Sequence, residues 1–410
     1  MTRILVVGAG VAGEALAARL RHHAIDVTIV ERAPGPRPGG QGIDIRGAAR
    51  EVIDRMGLTR QVRAAHTGVR GIRQVDAAGR VRVEMPADAV GHSGGIVADL
   101  EILRSDLVRI LAAAAGHDVA SGGVERVFGD TVTSLAERSD GVDVTFARSA
   151  PRRFDAVVGA DGVFSAVRRL MFPEARLIDS GYHRAVFTMS GGPDLDGWEL
   201  MYSMPAGNGT TGGRNVLLYP TRDSARAMVH FACPPMEYDR HDVEEQKRIV
   251  DRVLAGESWH VPQVRAALHD APDFYFDRHG RVETPWRRGR VVLLGDACAA
   301  GSVGMGTTIA LVGAYVMAGE LARRPGDPRS AFAAYEERVR PYAHANSAPL
   351  PGGTKAFLPA TRRAIRTGQT VTRWLLRTPL AGPMMGGIDK RTGAIELPEY
   401  DGTVGAAPVR

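Results

Sequence analysis

The feature that most constrains the fold of this chain is a glycine turn close to its start. Residues 3–7 (RILVV) form a continuous apolar segment, which is typical of a parallel strand buried on both faces. The turn GAGVAG follows at once. In such a motif Gly8 permits the tight turn, Gly10 lets the backbone approach a pyrophosphate, and Gly13 lets the next helix pack on the sheet.

The residues after this turn complete a strand–helix–strand unit. Residues 11–22 have the helical spacing of apolar side chains, and residues 26–31 predict a second strand that ends at Glu31. A helix amino terminus stabilises phosphate charge, and a carboxylate at the strand end can bind ribose hydroxyls. We therefore predict a dinucleotide site here; the alternative is a glycine-rich turn without a ligand. The flanking residues assigned to this site are Val11, Ala12 and Arg32.

Two further buried segments end at an aspartate. Residues 154–160 predict a strand before Asp161, and residues 290–295 predict a strand before Asp296. Strand ends in such sheets converge on one crevice, where ligands bind, so both aspartates are expected near the glycine turn. Asp296 could accept hydrogen bonds from a ribityl hydroxyl. For each aspartate, the alternative is a plain helix cap.

The composition changes between about residues 180 and 280. Tyr, Phe, Trp and Met alternate with turn glycines there, which predicts an inserted antiparallel sheet, with a helical stretch at 242–269. We therefore predict an α/β protein with a Rossmann-like domain, an inserted antiparallel β-sheet domain that binds substrate, and C-terminal helices. The predicted boundaries are 1–178 and 281–345 for the Rossmann-like domain, 179–280 for the sheet domain with residues about 70–98 at its substrate side, and 346–410 for the C-terminal segment.

Helical periodicity is clearest outside the sheet domain. Residues 99–115 predict a strong amphipathic helix, and residues 307–323 and 327–344 predict two more. Residues 355–377 predict a basic helix, and the tail after Leu397 is expected to be loosely held.

The three glycine and aspartate motifs together resemble the class A flavoprotein monooxygenases, the para-hydroxybenzoate hydroxylase-like group. Among these, the chain is most similar to short bacterial members that modify polyketides and tetracycline-like aromatics. The resemblance runs from residue 3 to about residue 345. It implies FAD as cofactor, NADPH or NADH as a transient reductant, and oxygenation of an aromatic or polyketide-like small molecule by O2 in secondary metabolism.

The resemblance also implies roles for individual residues. The glycines of the first motif and Glu31 would hold the ADP part of FAD. Arg46 would reach the flavin side of the cofactor, and Arg104 its pyrophosphate or ribityl region; the alternative for both is surface solvation. Asp161 belongs to a motif linked to both FAD and NADPH, and Asp296 to one that binds the ribityl chain. The remaining residues assigned to the cofactor are Gly304, Met305 and Gly306.

The loop after Asp296 departs from the family pattern. It lacks the usual prolines and runs through Ala, Cys, Gly and Ser to Gly304, so we expect greater mobility there. Cys298 could in principle attach to a flavin, but a packing role is more usual for a free cysteine. The altered loop leaves two alternatives open: a flavoprotein of this fold that catalyses a non-hydroxylating oxidation, cyclisation or rearrangement, or a non-catalytic protein that binds a hydrophobic metabolite.

The substrate is expected between the Rossmann-like domain and the sheet domain. A base that deprotonates a phenol could be His183 or His230. Because side chains alternate along a strand, about half of the candidates must face away from the substrate. The candidate lining residues are Tyr182, His183, Phe187, Met201, Tyr202, Met204, Tyr219, His230 and Phe231.

Composition narrows the remaining function classes. The net charge is +6, but only Lys247, Lys355 and Lys390 are lysines, so the basic excess reflects arginine-rich composition or attraction of anionic cofactors rather than nucleic-acid binding. Two cysteines indicate a reducing compartment and no metal site. No apolar run is long enough for a transmembrane helix, and the start does not read as a signal peptide. We expect a cytoplasmic monomer or homodimer.

Overall fold

The structure of the chain is a computed structural model that describes residues 2–37, 39–87, 100–116, 123–221, 224–301, 304–347, 352–378 and 393–400. Its strands are β1 (Arg3–Val7), β2 (Asp26–Glu31), β3 (Gly42–Asp44), β4 (Gly71–Val75), β5 (Val81–Pro86), β6 (Glu101–Leu103), β7 (Glu125–Phe128), β8 (Val132–Glu137), β9 (Val142–Phe146), β10 (Arg152–Phe154), β11 (Ala156–Gly159), β12 (Arg176–Met189), β13 (Trp198–Met204), β14 (Arg214–Pro220), β15 (Ala225–Ala232), β16 (Tyr275–Glu283), β17 (Arg287–Arg288) and β18 (Val291–Leu293). Its helices are α1 (Val11–His22), α2 (Ala48–Arg55), α3 (Thr59–Ala64), α4 (Arg104–Ala115), α5 (Ala166–Met171), α6 (Val243–Leu254), α7 (Val261–Asp270), α8 (Asp296–Ala299), α9 (Gly306–Arg323), α10 (Pro328–Asn346), α11 (Gly353–Phe357) and α12 (Arg362–Leu376).

The first sheet is built from the buried apolar strands that the sequence predicts. Its order is β17-β18-β11-β1-β2-β7, and all its pairs are parallel except β17 with β18. Helix α1 packs against both α4 and α9. The strand predicted at residues 154–160 begins two residues later, because Phe154 belongs to β10 in a separate sheet with β8 and β9.

The second sheet has the order β16-β12-β15-β14-β13-β4-β5, and its pairs are antiparallel except β13 with β4. One face packs against α6 and α7 in an apolar core. The other face is turned toward the first sheet's loops, since Arg226 and Asp273 lie beside Gly39. Strands β4 and β5 belong to this sheet, and residues 88–99 lie outside the described residues. The domain boundaries themselves stay a prediction.

The helix predicted at residues 99–115 is wrong at its start. Residues 101–103 form β6, which pairs antiparallel with β3 and places Glu101 opposite Asp44 and Ile102 opposite Ile43. Ile102 is fully buried in this pair. The helix α4 begins only at Arg104. Pairing with a strand far along the chain therefore overrides the helical periodicity of the local sequence.

The C-terminal region differs from the prediction in two places. The predicted helix 355–377 is broken between α11 and α12, where Leu358 is buried and Pro359 follows it. The tail after Leu397 was expected to be loosely held, but it is held in place up to residue 400. Tyr400 is fully buried, and its hydroxyl donates to Glu320 Oε1 at 2.6 Å. Among the described helices, none combines the length and apolar character needed to cross a membrane.

Candidate cofactor and substrate site

Three strand-end turns meet at the carboxyl edge of the first sheet. Gly8 follows β1, Asp161 follows β11, and Asp296 follows β18, and these three strands are neighbours. A Cβ added at Gly8, which has φ +110°, would lie 2.5 Å from the carbonyl oxygen of Ala160. A Cβ added at Gly295 would lie 3.0 Å from the Cβ of Ala12. The three motifs identified in the sequence are therefore in contact with one another.

The glycines of the first turn differ in what surrounds them. A Cβ at Gly13 would lie 1.9 Å from the carbonyl oxygen of Gly8, so this glycine is required for α1 to pack on the turn. A Cβ at Gly10 would meet no atom within 4 Å, and its φ of −83° is open to any residue. The protein itself therefore does not explain a glycine at position 10, whereas an approaching ligand does.

Glu31 connects the end of β2 to the glycine turn. Its Oε2 accepts a hydrogen bond from the Ala9 backbone N–H at 3.0 Å, and its Oε1 accepts one from the Ala33 N–H at 2.8 Å. The carboxylate thus lies beside the turn, where the dinucleotide-binding pattern requires it. Arg32, the next residue, is exposed.

The ribbon of β3 and β6 brings the two predicted arginines to the same region. Arg46 follows β3, is 3% exposed, and binds Asp44 Oδ2 through Nη2 at 2.7 Å. Burial excludes surface solvation as its role. Arg104 follows β6 and has no side-chain hydrogen bond or ion pair within the described chain. Burial, and then the nearby Arg37, lower the pKa of Arg104.

Asp161 caps a helix through one carboxylate oxygen, and its second carboxylate oxygen takes no part in the cap. Its Oδ2 accepts from the backbone N–H groups of Ala166 at 2.5 Å and Val167 at 3.3 Å, so the capping alternative holds for that oxygen. Its Oδ1 is buried without a hydrogen-bond partner. Burial raises the pKa of Asp161, and the backbone and Ser165 hydrogen bonds oppose this rise.

Asp296 opens the short helix α8 at the junction of the two sheets. Asp296 is exposed to solvent. The surrounding protein raises its pKa there, while Arg184 and Arg104 partly oppose the rise. Ser302 and Val303 lie outside the described residues, so the expectation of loop mobility is not addressed at these two positions. Gly304 has φ +76°, and Met305 is buried at the start of α9, which Gly306 begins.

Cys298 faces away from the junction. It is 3% exposed, its Sγ donates to the Gly295 carbonyl oxygen at 3.4 Å, and burial raises its pKa. Tyr335 of α10 is its side-chain neighbour. The packing role is therefore the one the geometry supports. No group of three or more metal-ligating side chains occurs within the described ranges.

Strand register separates the substrate candidates by face. Tyr182 and His230 lie on the face of the second sheet that is turned toward the nucleotide-binding turns, as do Met201 and Tyr219. His183 does not lie there: it stacks between Phe231 and Phe276 in the core against α6 and α7. The other candidates on that opposite face are Phe187, Tyr202 and Met204. We withdraw these five residues, including Phe231, as lining candidates, because alternation along their strands points them into that core.

A polar cluster on the junction face was missing from the sequence prediction. Arg184 Nη2 binds Asp277 Oδ2 at 3.1 Å, and the hydroxyl of Tyr275 donates to the same oxygen at 2.5 Å. Arg184 Nε and Asp277 Oδ1 are buried and have no hydrogen-bond partner in the part of the chain that the structure describes. Because side chains alternate along a strand, Arg184 could have been predicted on the same face as Tyr182. It was not selected, because a charged residue in a strand is usually exposed to solvent.

His230 is held as a neutral imidazole on the same face. Burial, and then Arg184, lower its pKa to about 3. Its Nδ1 lies 2.9 Å from Oδ1 of Asn215, so Nδ1 carries the proton and donates to the amide oxygen. That leaves Nε2 as a lone-pair acceptor, without a partner among the described residues.

A buried pair of acids lies behind Arg46. The carboxyl group of Glu199 on β13 donates to the carboxylate of Glu101 on β6, and the Thr67 hydroxyl donates to Glu101 Oε1 at 3.0 Å. Burial and the nearby Asp44 raise the pKa of Glu101 to about 7. Burial and Glu101 raise that of Glu199 further. No local pattern in the sequence indicated this pair.

The residues at the three turns fit a large anionic dinucleotide. Gly10 leaves an open backbone face for a pyrophosphate. Arg104 forms no ion pair with the residues that the structure describes, and the Oδ1 of Asp161 is a buried acceptor with no donor among them. A parallel sheet with these turns has the architecture of a dinucleotide-binding protein.

Comparison with known proteins identifies the family. A model of the FAD binding domain matches residues 1–347. Uncharacterized protein Rv1260 of Mycobacterium tuberculosis is 39% identical over 367 residues, 86% of this chain and 95% of that protein. A flavin-dependent monooxygenase from an unknown prokaryotic organism is 32% identical over 405 residues, 97% of this chain and 99% of the relative. The crystal structure of tetracycline destructase Tet(55) has a TM-score of 0.76 at 31% identity, covering 98% and 99% of the two chains.

The chain therefore belongs to the FAD-binding domain family and is a flavin-dependent oxidoreductase of the monooxygenase type. This confirms the resemblance, the α/β fold class and the cofactor assignment that the sequence motifs predicted. The roles of the individual site residues stay predictions.

Proposed function

We propose that this monooxygenase oxygenates a flat aromatic or polyketide-like molecule that carries an ionisable hydroxyl group. The substrate would bind between the nucleotide-binding turns and the junction face of the second sheet. Similarity to a tetracycline destructase supports a substrate of this chemical type. The observation that carries the proposal is the neutral His230 on this face, held by Asn215 with Nε2 as an acceptor.

The residues proposed to hold FAD are those at the three turns. Gly10 would admit the pyrophosphate, Glu31 the adenosine ribose, and Asp296 the ribityl chain. Arg46 and Arg104 would supply positive charge along the cofactor. The chemistry that FAD supplies when bound is reduction by NAD(P)H and activation of O2.

The protein's own part is to bind the substrate, exclude water and orient the substrate hydroxyl. His230 Nε2 would accept a hydrogen bond from that hydroxyl, which makes the ring more electron-rich and easier to oxygenate. Asn215 would hold the neutral imidazole in the required tautomer through the Nδ1 hydrogen bond. Tyr182, whose ring stacks on His279 at 4.6 Å, would form an aromatic wall beside the substrate.

The proposal is tested with the purified protein, FAD, NADPH or NADH, and a panel of phenols and their O-methyl ethers. We expect NAD(P)H oxidation in air to accelerate with phenols, and mass spectrometry to find one ¹⁸O atom from ¹⁸O₂ in the product. Methyl ethers should bind without comparable turnover. Oxidation of a substrate without incorporation of ¹⁸O would contradict oxygenation and favour a non-hydroxylating oxidase.

A further inference from the structure

The cluster of Arg184, Asp277 and Tyr275 has no part in the chemistry above. Its three side chains come from the neighbouring strands β12 and β16, and register places all of them on the junction face. Arg184 faces Asp277 across the ladder, and Tyr275 lies next along β16 on that face. Arg184 and Asp277 are electrostatic neighbours of Asp296, and Arg184 and Tyr275 are those of Arg104.

The guanidinium of Arg184 has hydrogen-bond donors to spare. Its ion pair with Asp277 uses one N–H group, at Nη2, while a guanidinium carries five. Nε is buried without a partner, and Nη1 makes no hydrogen bond within the described part of the chain. The side chain is still 24% exposed, so a ligand at the junction can reach it.

The surroundings of Arg184 favour a planar anion. Tyr182, Tyr275, His230 and His279 are its aromatic neighbours, and the pKa values of both histidines are lowered, chiefly by burial and then by Arg184 itself. The imidazoles are thus neutral, and Arg184 is the cation that these four aromatic side chains surround. The other charged groups near it are Asp277, Asp296 and Arg104. Asp277 fixes the guanidinium through Nη2 and leaves Nη1 without a hydrogen bond to the described residues.

We propose that Arg184, fixed by Asp277 and Tyr275, is an anion-binding subsite that selects substrates bearing a carboxylate or an acidic enolate beside the aromatic ring. The inference rests on the proposed function, because it assumes that the substrate occupies the junction. It adds a specificity-determining residue to that site and leaves the contact with the substrate hydroxyl to His230.

The test compares salicylate with salicylamide, which has nearly the same shape but no carboxylate charge. Binding to the FAD-loaded protein is measured by isothermal titration calorimetry, without turnover. A charge-assisted pair with a guanidinium should favour salicylate by about tenfold in Kd. In Arg184→Gln the two probes should bind within about twofold of each other, and in Arg184→Lys the preference should be intermediate because a lysine cannot bind in a fork.

Arg176→Gln is the matched control. It lies on the same strand β12 but is exposed and paired with Glu283 at the surface, so the preference should remain. Equal Kd values for the two probes in the wild type, undetectable salicylate binding at millimolar concentration, or an unchanged preference in Arg184→Gln would each overturn the inference. Loss of FAD from Arg184→Gln, with the preference retained by the reloaded protein, would assign Arg184 to the cofactor instead. Failure of the proposed function would be seen separately, as absence of phenol-dependent NAD(P)H oxidation.

Discussion

The protonated carboxyl group of Glu199 donates a hydrogen bond to the carboxylate of Glu101, and this bond joins the second sheet to the ribbon that carries Arg46 and Arg104. Glu101 is 5% exposed and Glu199 8% exposed, so neither charge is solvated. Gly42 faces the pair, because a Cβ there would lie 2.6 Å from Glu101 Oε1. The proton between Glu199 and Glu101 is therefore part of the contact between the second sheet and the ribbon of β3 and β6.

This proton should make stability depend on pH. Both pKa values are raised in the folded state, so the stability from this pair is complete below about pH 4.5, the ordinary value, and is lost as the pH rises toward and through about 7. Glu199→Gln keeps a donor to Glu101 and removes one titrating group. We expect the free energy of unfolding to fall less between pH 5 and pH 8 in this variant, by on the order of 2 kcal/mol. Urea denaturation at the two pH values measures the difference, with exposed Glu237→Gln as the control; parallel losses in all three proteins would refute the account.

The two histidines on opposite faces of the second sheet offer a matched comparison. His230→Gln should reduce kcat/KM for a phenolic substrate by about tenfold, since it removes the imidazole Nε2 that accepts from the substrate hydroxyl. His183→Gln perturbs the core beside Phe276 and should lower the melting temperature, with a much smaller effect on kcat/KM per folded molecule. Steady-state kinetics on samples matched for FAD content test this. Equal kinetic losses in the two variants would remove His230 from its proposed role.

The docked tail makes a measurable contribution to stability. Tyr400 is fully buried against Gly319, and its hydroxyl binds Glu320. Tyr400→Ala should therefore cost about 3–5 kcal/mol, as for other buried aromatic residues. Glu396→Ala, which changes an exposed residue of the same segment, is the control. Chemical denaturation gives both values, and a cost below about 1 kcal/mol for Tyr400→Ala would restore the expectation of a loose tail.

Both cysteines should be unreactive in the native protein. Burial raises the pKa of Cys233 to about 11 and that of Cys298 as well, so neither forms a reactive thiolate at neutral pH. A thiol reagent should find no accessible thiol before denaturation and two afterwards. Cys298→Ala should still bind FAD, and acid precipitation should release the FAD completely. If flavin stays with the precipitated wild type but not with this variant, a covalent bond to Cys298 is shown instead.

Local patterns in the sequence were enough for the nucleotide-binding half of the site. The turns at Gly8, Asp161 and Asp296 each follow a short apolar strand, and parallel strands bring their carboxyl ends together without further information. Strand β6 was missed because its partner β3 lies about sixty residues earlier, and helical periodicity from Arg104 onward extended over it. Pairing of distant segments is a property of the whole fold, which local propensity does not encode.

The junction residues were missed for a different reason. The sequence marked aromatic and histidine residues in the strands as candidates, but only register shows that Tyr182 and His230 share a face while His183 does not. Arg184 and Glu199 were passed over because charged residues in strands are usually exposed. Tyr400 was passed over because a terminal segment with few apolar residues is usually free.

The most direct test of the account is the FAD content of the wild type, Gly10→Val and Gly13→Ala. A side chain at Gly10 meets open space, so Gly10→Val should fold with nearly wild-type stability but lose FAD, because it blocks the pyrophosphate. A side chain at Gly13 meets the Gly8 carbonyl, so Gly13→Ala should lose about 1–3 kcal/mol of stability in the apoprotein. We predict a yellow wild type with about one FAD per chain and a colourless, folded Gly10→Val. A wild type that stays colourless with added FAD, or a Gly10→Val that binds FAD with unchanged affinity, would contradict the account.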